Sequence, residues 1–254
     1  MMKFVTGFFM AWGNFLSLPC PYKKWDSNLK NMMLAFLPGV GMVVGLLGIA
    51  LYWLLEYVNI QVSISGLIMM FYAYAICGFM HLDGFMDCND AIMSRRPLEE
   101  RQRILKDSHT GAFAVITLVF LFLAYYVSIS TAFGKLDIIN LFMIPVISRG
   151  CSGFCVLTYK PMGHSQYVSD YDEKGRIKYR VAVIVQMAIA IAITLVFSHN
   201  LLATGICAGV MIAVAFVACA YGRKQLGGMS GDIAGYTISI TELTGILILA
   251  IMII

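Results

Sequence analysis

Seven apolar segments, each long enough to cross a lipid bilayer, constrain the fold of this chain more than any other feature. A membrane-spanning helix needs about 20 apolar residues, because a helix satisfies all its backbone hydrogen bonds within hydrocarbon. Only 13% of the residues are charged, against about 25% in an ordinary soluble domain. We therefore predict an all-α, polytopic membrane protein of about seven transmembrane helices, at about 33–56, 62–80, 111–133, 138–157, 180–198, 200–221 and 233–253.

The segment 1–31 differs from these spans, although it begins with an apolar run. Gly13 and Asn14 interrupt that run before it reaches spanning length, and Pro19 and Pro21 follow shortly afterwards. Proline ends helices, because it lacks a backbone N–H and clashes with the preceding turn. We predict an interfacial or re-entrant helix here.

The basic residues predict the orientation. If the N-terminus is cytoplasmic, all of the 18 lysines and arginines except Lys135 and Arg149 fall in cytoplasmic segments. Cytoplasmic loops of membrane proteins carry an excess of Lys and Arg. The predicted topology is N-inside and C-outside, with a single membrane domain over 1–254. The polar intervals 81–110 and 222–232 are then cytoplasmic.

An acidic motif opens the first polar interval, with the sequence HLDGFMDCND from His81. On a continuous helix, the i, i+4 and i+7 spacing places Asp83, Asp87 and Asp90 on one stripe. Like charges on one stripe repel each other, and oxygen ligands suit a hard divalent ion such as Mg²⁺. His81 is a further candidate ligand or base. The alternative is a solvated loop of mixed charge between two membrane helices.

Basic and hydroxyl residues follow the acidic motif. Lys106, Asp107 and Ser108 precede the glycine that opens the next span, so they offer a cation, a metal ligand and a hydroxyl near a helix N-terminus. Capping of that helix by Ser108 or Thr110 explains the same pattern equally well. The cations of this interval are Arg95, Arg96, Arg101, Arg103 and Lys106.

A glycine-rich stretch forms the second polar interval. Arg223 precedes Gly227 and Gly228, and Asp232 follows them, which suits a backbone cradle for phosphate but also a flexible turn. The stretch serves catalysis only if it folds against 81–110. We therefore expect Asp232 beside Asp83 in one cavity, with the two glycines in its wall.

Two charged residues lie inside predicted spans, Arg149 and Glu242. A charge at the centre of a membrane helix costs roughly 2.5–3.5 kcal/mol on insertion scales, so such residues are functional candidates. They are plausible partners of each other. A small-solute transporter with this pair as its binding groups is one alternative function.

Together these motifs resemble the cobalamin synthase family, the adenosylcobinamide-GDP ribazoletransferases. The resemblance rests on HLDG-x2-D-x2-D, KDS-x2-G, GG-x2-GD-x3-G and the following intramembrane Glu, in the family order. The FLSLPCP opening at 15–21 and Arg149 also match, and the similarity runs from about residue 4 to 250. The stretch 161–167 departs from the family by lacking an expected arginine. The motif order of CDP-alcohol phosphotransferases is absent, although that chemistry is the nearest alternative.

The resemblance implies an Mg²⁺-dependent enzyme. It would transfer adenosylcobinamide phosphate from adenosylcobinamide-GDP to α-ribazole, or to its 5′-phosphate, and release GMP. It implies a cytoplasmic-membrane protein of a bacterium or archaeon with its site on the cytoplasmic face. Its partners would be these substrates and the lipid bilayer, without nucleic acid, and a homo-oligomer is compatible with the sequence. The implied roles are catalytic for His81, Asp83, Lys106 and Asp107; metal-binding for Asp83, Asp87, Asp90 and Asp232; and substrate-binding for Arg95, Arg96, Arg103, Ser108, Arg149, Arg223, Gly227, Gly228 and Glu242.

Overall fold

The structure, a computed structural model, describes residues 2–163 and 175–253. Within these ranges the chain is helical, and the one β-type contact is an isolated bridge between Pro161 and Met229. The prediction of an all-α fold is confirmed. The helices are α1 (Met2–Phe15), α2 (Lys30–Ala35), α3 (Leu37–Tyr57), α4 (Val62–Ala75), α5 (Met80–Met93), α6 (Leu98–Ile104), α7 (Ala112–Ala132), α8 (Asn140–Thr158), α9 (Ile177–Phe197), α10 (Leu201–Leu226) and α11 (Gly231–Met252), with a 3-10 turn at Ser27–Leu29.

Six of the described helices are long and apolar enough to cross a membrane: α3, α7, α8, α9, α10 and α11. The consecutive helices α4 and α5 meet at a bend of 84° and can be counted together as a seventh span. The predicted number of about seven is therefore confirmed. The 14-residue helix α1 is too short to span, and it ends before the two prolines.

The second predicted span differs from a continuous helix, because the chain breaks at 76–79 between α4 and α5. Gly78 and Phe79 both have left-handed backbone angles, with φ values of 60° and 61°. Two left-handed residues in succession cannot continue a right-handed helix. Each half has 14 residues, or roughly 21 Å at 1.5 Å per residue, so neither alone crosses a core of about 30 Å.

The segment that follows α1 satisfies the carbonyl groups left free by this break. The Ser17 Oγ donates to the carbonyl oxygens of Ala75 and Ile76 at 2.9 and 3.0 Å. The Ser17 backbone N–H donates to Ile76 at 2.9 Å. Broken helices persist at membrane depth only where protein groups re-satisfy the backbone. The N-terminal segment is thus part of the second span's structure.

Helix α8 is the centre of the bundle and is almost wholly buried, whereas α7 and α9 expose most of their apolar side chains. It packs closely on α3, where Gly41 and Gly45 lie against the α8 backbone at Pro145 and Phe142. Small residues at such crossings let two membrane helices approach. This central helix carries Arg149.

Candidate active site

Helix α5 carries the acidic motif, and its helical structure confirms that Asp83, Asp87 and Asp90 lie on one helix. That helix is a new one that starts at Met80, not a continuation of the preceding apolar helix. Asp83 is exposed, and Asp87 and Asp90 are partly exposed. The interval predicted as a loop, 81–110, therefore consists mainly of α5 and α6.

Helices α5 and α11 pack with almost no space between their backbones. A Cβ atom at Gly84 would lie 2.7 Å from the Asp232 carbonyl oxygen, and one at Gly235 would lie 3.0 Å from that of His81. The Ser239 Oγ donates to the same His81 carbonyl at 3.2 Å. This contact places the first turn of α11 beside the acidic residues of α5, as the sequence predicted.

The four aspartates form a negatively charged cluster. Asp83, Asp87 and Asp90 lie on α5, and the Asp232 backbone lies directly against Gly84 of that helix. Within the described ranges, none of the four carboxylates forms an ion pair with a Lys, Arg or His side chain. Asp232 accepts one hydrogen bond, from the Ser230 Oγ at 3.3 Å. The cluster therefore lacks compensating positive charge from the described chain.

These residues suit Mg²⁺ in their donor chemistry. Among residues 2–163 and 175–253, no three acidic, His or Cys side chains converge closely enough to hold an ion as placed. Mg²⁺ usually keeps several waters and takes one or two carboxylates together with substrate phosphates, rather than a cage of protein ligands. Unpaired carboxylates on two adjacent helices fit that mode of binding.

His81 lies at the start of α5 and is only 8% exposed. Its ring forms no hydrogen bond in the described structure. It lines a cavity of about 240 Å³ together with Asp232. A buried imidazole without a partner keeps both a donor and an acceptor available.

A second cavity, a cleft of about 860 Å³, lies at the glycine-rich turn. Its described lining includes Lys160, Arg223, Lys224, Gly227 and Gly228. None of the three cations forms an ion pair in the described parts of the chain. An open cleft with three unpaired cations attracts anions such as phosphate.

Two interactions shape that cleft. The Arg223 guanidinium carbon lies 3.4 Å from the centroid of the Tyr159 ring, so cation–π contact orients the side chain. The turn itself is held by two backbone bonds: Met162 N–H donates to Met229 at 2.9 Å, and Met229 N–H donates to Lys160 at 3.1 Å.

The second polar interval folds against the first, as predicted, and helix α6 provides the contact. Arg101 donates to the Gln225 side chain, and the Gln102 Nε2 donates to the Leu226 carbonyl at 2.8 Å. Gly227 ends α10 with a left-handed φ of 87°. Gly227 and Gly228, however, line one cavity and Asp232 lines another, rather than the single cavity expected.

Other predicted residues lie on the exposed surface between α5 and α7: Arg95, Arg96, Arg103, Lys106, Asp107 and Ser108. Arg103 pairs with Glu100 at 3.0 Å. The Asp107 carboxylate accepts a 2.6 Å hydrogen bond from the His109 ring, which lowers the pKa of Asp107 and raises that of His109. Gly111 is the N-cap of α7, so neither Ser108 nor Thr110 caps it. The proposed roles of these residues remain predictions.

Arg149 and Glu242 form the intramembrane ion pair that the sequence suggested. They lie near the middle of α8 and α11 and are 0% and 5% exposed. The Arg149 Nη2 also donates to the Cys77 Sγ at 3.2 Å, and Ser148 Oγ donates to Glu242 at 3.0 Å. The pair thus connects α8 and α11 to the break between α4 and α5. Its role in substrate binding remains a prediction.

Several contributors were missed in the sequence. The sequence marks Lys160 only as a cytoplasmic charge and Lys224 only as one of two cations before the glycine-rich stretch, although both line the cationic cleft. Ser17 and Cys77 gave no signal, because each acts through a contact distant in sequence. The family departure at 161–167 is described only as far as Gly163, and His164, Ser165, Gln166 and Tyr167 lie outside the described residues.

Comparison with known proteins finds the same family that the sequence motifs resemble. A family model described as cobalamin-5-phosphate synthase matches residues 7–250. An adenosylcobinamide-GDP ribazoletransferase of Clostridium botulinum strain Alaska E43 is 35% identical and covers 97% of each chain. One from Clostridium perfringens strain SM101 is 32% identical over 99% of this chain and 100% of the relative. One from Shewanella denitrificans is 28% identical over 95% and 92%.

No solved structure matched the chain. The family model nevertheless covers nearly the whole sequence, including both polar intervals and both intramembrane charges. The relatives align from end to end rather than over one motif. The chain therefore belongs to the cobalamin-5-phosphate synthase family.

Proposed function

We propose that this protein transfers adenosylcobinamide phosphate from adenosylcobinamide-GDP to α-ribazole, or to α-ribazole 5′-phosphate, and releases GMP. The family match and the names of the relatives support the reaction. The observation that carries it is the juxtaposition of four unpaired aspartates with a cleft of three unpaired cations, across one glycine-rich turn. Such a combination suits the transfer of a phosphorylated group.

In this reaction a ribazole hydroxyl attacks the phosphorus atom on the cobinamide side of the pyrophosphate. The bond from that phosphorus to the GMP oxygen breaks, and GMP leaves with the electron pair. The hydroxyl proton goes to one of the aspartates or to His81 as general base. One or two carboxylates from among Asp83, Asp87, Asp90 and Asp232 would hold a bound Mg²⁺ together with the substrate phosphates, and the ion would neutralise phosphate charge.

The cations of the cleft would hold the GMP side of the substrate. Arg223, Lys160 and Lys224 line the cleft without ion-pair partners, and Gly227 and Gly228 let phosphate approach the backbone. Arg95, Arg96, Arg103, Lys106 and Ser108 would add positive charge and a hydroxyl from the exposed α5–α7 segment, with Asp107 as a further acid. We place this site on the cytoplasmic face, where nucleotide-linked substrates are available.

The alternatives considered from sequence gain no support from the geometry. The acidic motif departs from the CDP-alcohol phosphotransferase order. Arg149 and Glu242 neutralise each other, and Glu242 borders a cavity of only about 40 Å³, which is too small for most solutes. A transporter would need these groups at an accessible binding site.

GMP release by the purified protein tests the proposal, with adenosylcobinamide-GDP and α-ribazole as substrates. We expect turnover with Mg²⁺, loss of turnover in EDTA, and recovery when Mg²⁺ is restored. Asp83→Asn should abolish turnover, because it removes a carboxylate charge from the cluster, while the protein still inserts and elutes as a folded species. Glu99→Gln, the same change of charge on exposed α6, should retain activity.

Two outcomes would count against parts of this scheme. Activity that survives thorough chelation would contradict the dependence on Mg²⁺. Near wild-type activity in Asp83→Asn would remove Asp83 from the site. No GMP release under any condition, from folded protein with both substrates present, would contradict the reaction itself.

A further inference from the structure

The cavity beside His81 has the character of a small-molecule site. It lies where the end of α1, the start of α5, α8 and α11 meet, and its volume is about 240 Å³. Phe15, Leu37, Met80, Val156 and Ile238 provide apolar walls. Its polar groups come from Asn14, His81, Ser152 and Asp232. A mostly apolar cavity with a few convergent polar groups is the usual form of a ligand pocket.

The size of the cavity limits its occupant. A cavity of about 150 Å³ holds benzene, and pockets for drug-sized molecules begin at about 300 Å³. A volume of about 240 Å³ therefore admits a fused two-ring system. It excludes a corrin macrocycle and a complete nucleotide.

The polar groups indicate a ligand with hydrogen-bonding ring atoms. The His81 side chain is buried, lines the cavity and forms no hydrogen bond in the described structure. Because both ring nitrogens remain available, a ligand that enters the cavity can form a hydrogen bond with this imidazole. The Ser152 Oγ donates to the Ala234 carbonyl at 3.2 Å and can still accept a hydrogen bond.

We propose that this cavity binds the aromatic nitrogen heterocycle of the acceptor α-ribazole, a benzimidazole-type base. The inference rests on the proposed function, because that function supplies an acceptor with such a base. The ring would lie between Phe15 and the apolar residues of α8 and α11, with His81 bonded to a ring nitrogen. Asp232 lines the same cavity, and its backbone lies against Gly84 beside Asp83, so the ribose would emerge beside the acidic cluster.

This arrangement separates the two substrates. Gly227 and Gly228 line the cationic cleft, Gly231 and Asp232 line the heterocycle cavity, and the described linings of the two share no residue. A change in the cavity should therefore alter binding of the acceptor and leave binding of the nucleotide-linked donor unchanged.

Equilibrium binding to the purified full-length protein in detergent tests the inference without requiring turnover. The probes are α-ribazole, free benzimidazole and adenosylcobinamide-GDP. His81→Phe keeps a ring of similar size but removes both nitrogens, so we expect about tenfold weaker binding of α-ribazole and benzimidazole, the usual effect of one hydrogen bond. Binding of adenosylcobinamide-GDP should not change. His199→Phe, the same substitution at an exposed histidine, should match the wild type.

Phe15→Ala provides a second variant, because Phe15 lines the cavity and is only partly buried. It should weaken benzimidazole binding several-fold. If His81→Phe does not fold, the effect of Phe15→Ala on heterocycle binding tests the inference by itself. The inference is overturned if wild-type protein binds neither heterocycle, if both variants bind them normally, or if donor binding falls equally. Heterocycle binding that depends on His81 and Phe15, without any GMP release, would contradict the proposed reaction but not this site.

Discussion

Replacing Glu242 with glutamine should destabilise the protein strongly, because it leaves a buried guanidinium without its counter-ion. Arg149 is 0% exposed, and its remaining described acceptors are the Pro145 carbonyl at 3.3 Å, the Ser148 hydroxyl at 3.4 Å and the Cys77 sulfur. All three are neutral oxygen or sulfur acceptors. None can compensate a full positive charge.

Two independent scales give the magnitude. Removing one partner of a buried ion pair costs about 3–5 kcal/mol, and one uncompensated Arg at a membrane helix centre costs about 2.5–3.5 kcal/mol. Glutamine still accepts a hydrogen bond through its amide oxygen, so we expect the lower end, about 3 kcal/mol. That value is roughly a 150-fold change in the unfolding equilibrium constant. The double variant Arg149→Met/Glu242→Gln should recover much of the loss, since no charge remains buried.

Reversible unfolding in mixed detergent micelles with increasing SDS, followed by circular dichroism, measures these free energies. Glu99→Gln is the matched control, because Glu99 is exposed on α6. A free energy of unfolding for Glu242→Gln within about 1 kcal/mol of wild type, well below the 3 kcal/mol expected from a buried pair, would refute the reasoning. A double variant less stable than Glu242→Gln would refute it too.

Three further predictions follow from the topology, the α5–α11 contact and the cationic cleft. A topology reporter fused after residue 254 should be extracytoplasmic, and one inserted at residue 174 should be cytoplasmic; both positions lie outside the described residues. Finding the two reporters on the same side of the membrane would contradict the seven-span orientation. Gly84→Ala should cost about 1–3 kcal/mol in SDS unfolding, because the new Cβ meets the Asp232 backbone at 2.7 Å. Gly205→Ala, with nothing within 4 Å of its Cβ, should be neutral or slightly stabilising; equal effects would contradict the close packing. Lys224→Gln should raise the KM for adenosylcobinamide-GDP about tenfold through loss of one charged phosphate contact, with the KM for α-ribazole unchanged; the reverse pattern in GMP-release kinetics would exclude the cleft as the donor site.

The break in the second span connects these features. Its residues 76–79 receive hydrogen bonds from the N-terminal segment through Ser17 and contact the Arg149–Glu242 pair through Cys77. Helix α5 starts directly after the break, with His81 and the aspartates in its first turns. The buried ion pair therefore supports the start of the helix that carries the acidic motif. Its loss should therefore shift the start of α5 and reduce catalysis by displacing the acidic motif.

The sequence by itself determined the all-α membrane fold, the approximate number of spans and the position of the acidic motif. These properties are local: apolar length decides whether a helix can span, and i, i+4, i+7 spacing decides that Asp83, Asp87 and Asp90 share a helix. The family motifs were likewise visible as short runs of residues. The Arg149–Glu242 pairing could be suggested because uncompensated charges are rare in membranes.

Only the tertiary structure decided how these parts meet. The break at 76–79 lies within an apolar run, so hydropathy showed a single span there. The carbonyl groups of Ala75 and Ile76 at this break are bonded by Ser17, which is distant in sequence. The approach of Gly84 to Asp232 and the separation of the two cavities depend on helices far apart in sequence. Contacts of this kind produce no periodic pattern in the sequence. Each depends on one small or polar residue, and helix packing determines which distant residue it contacts. The sequence could not show that the His81 ring lacks a hydrogen-bond partner and lines a cavity, because both facts depend on how the helices pack around it.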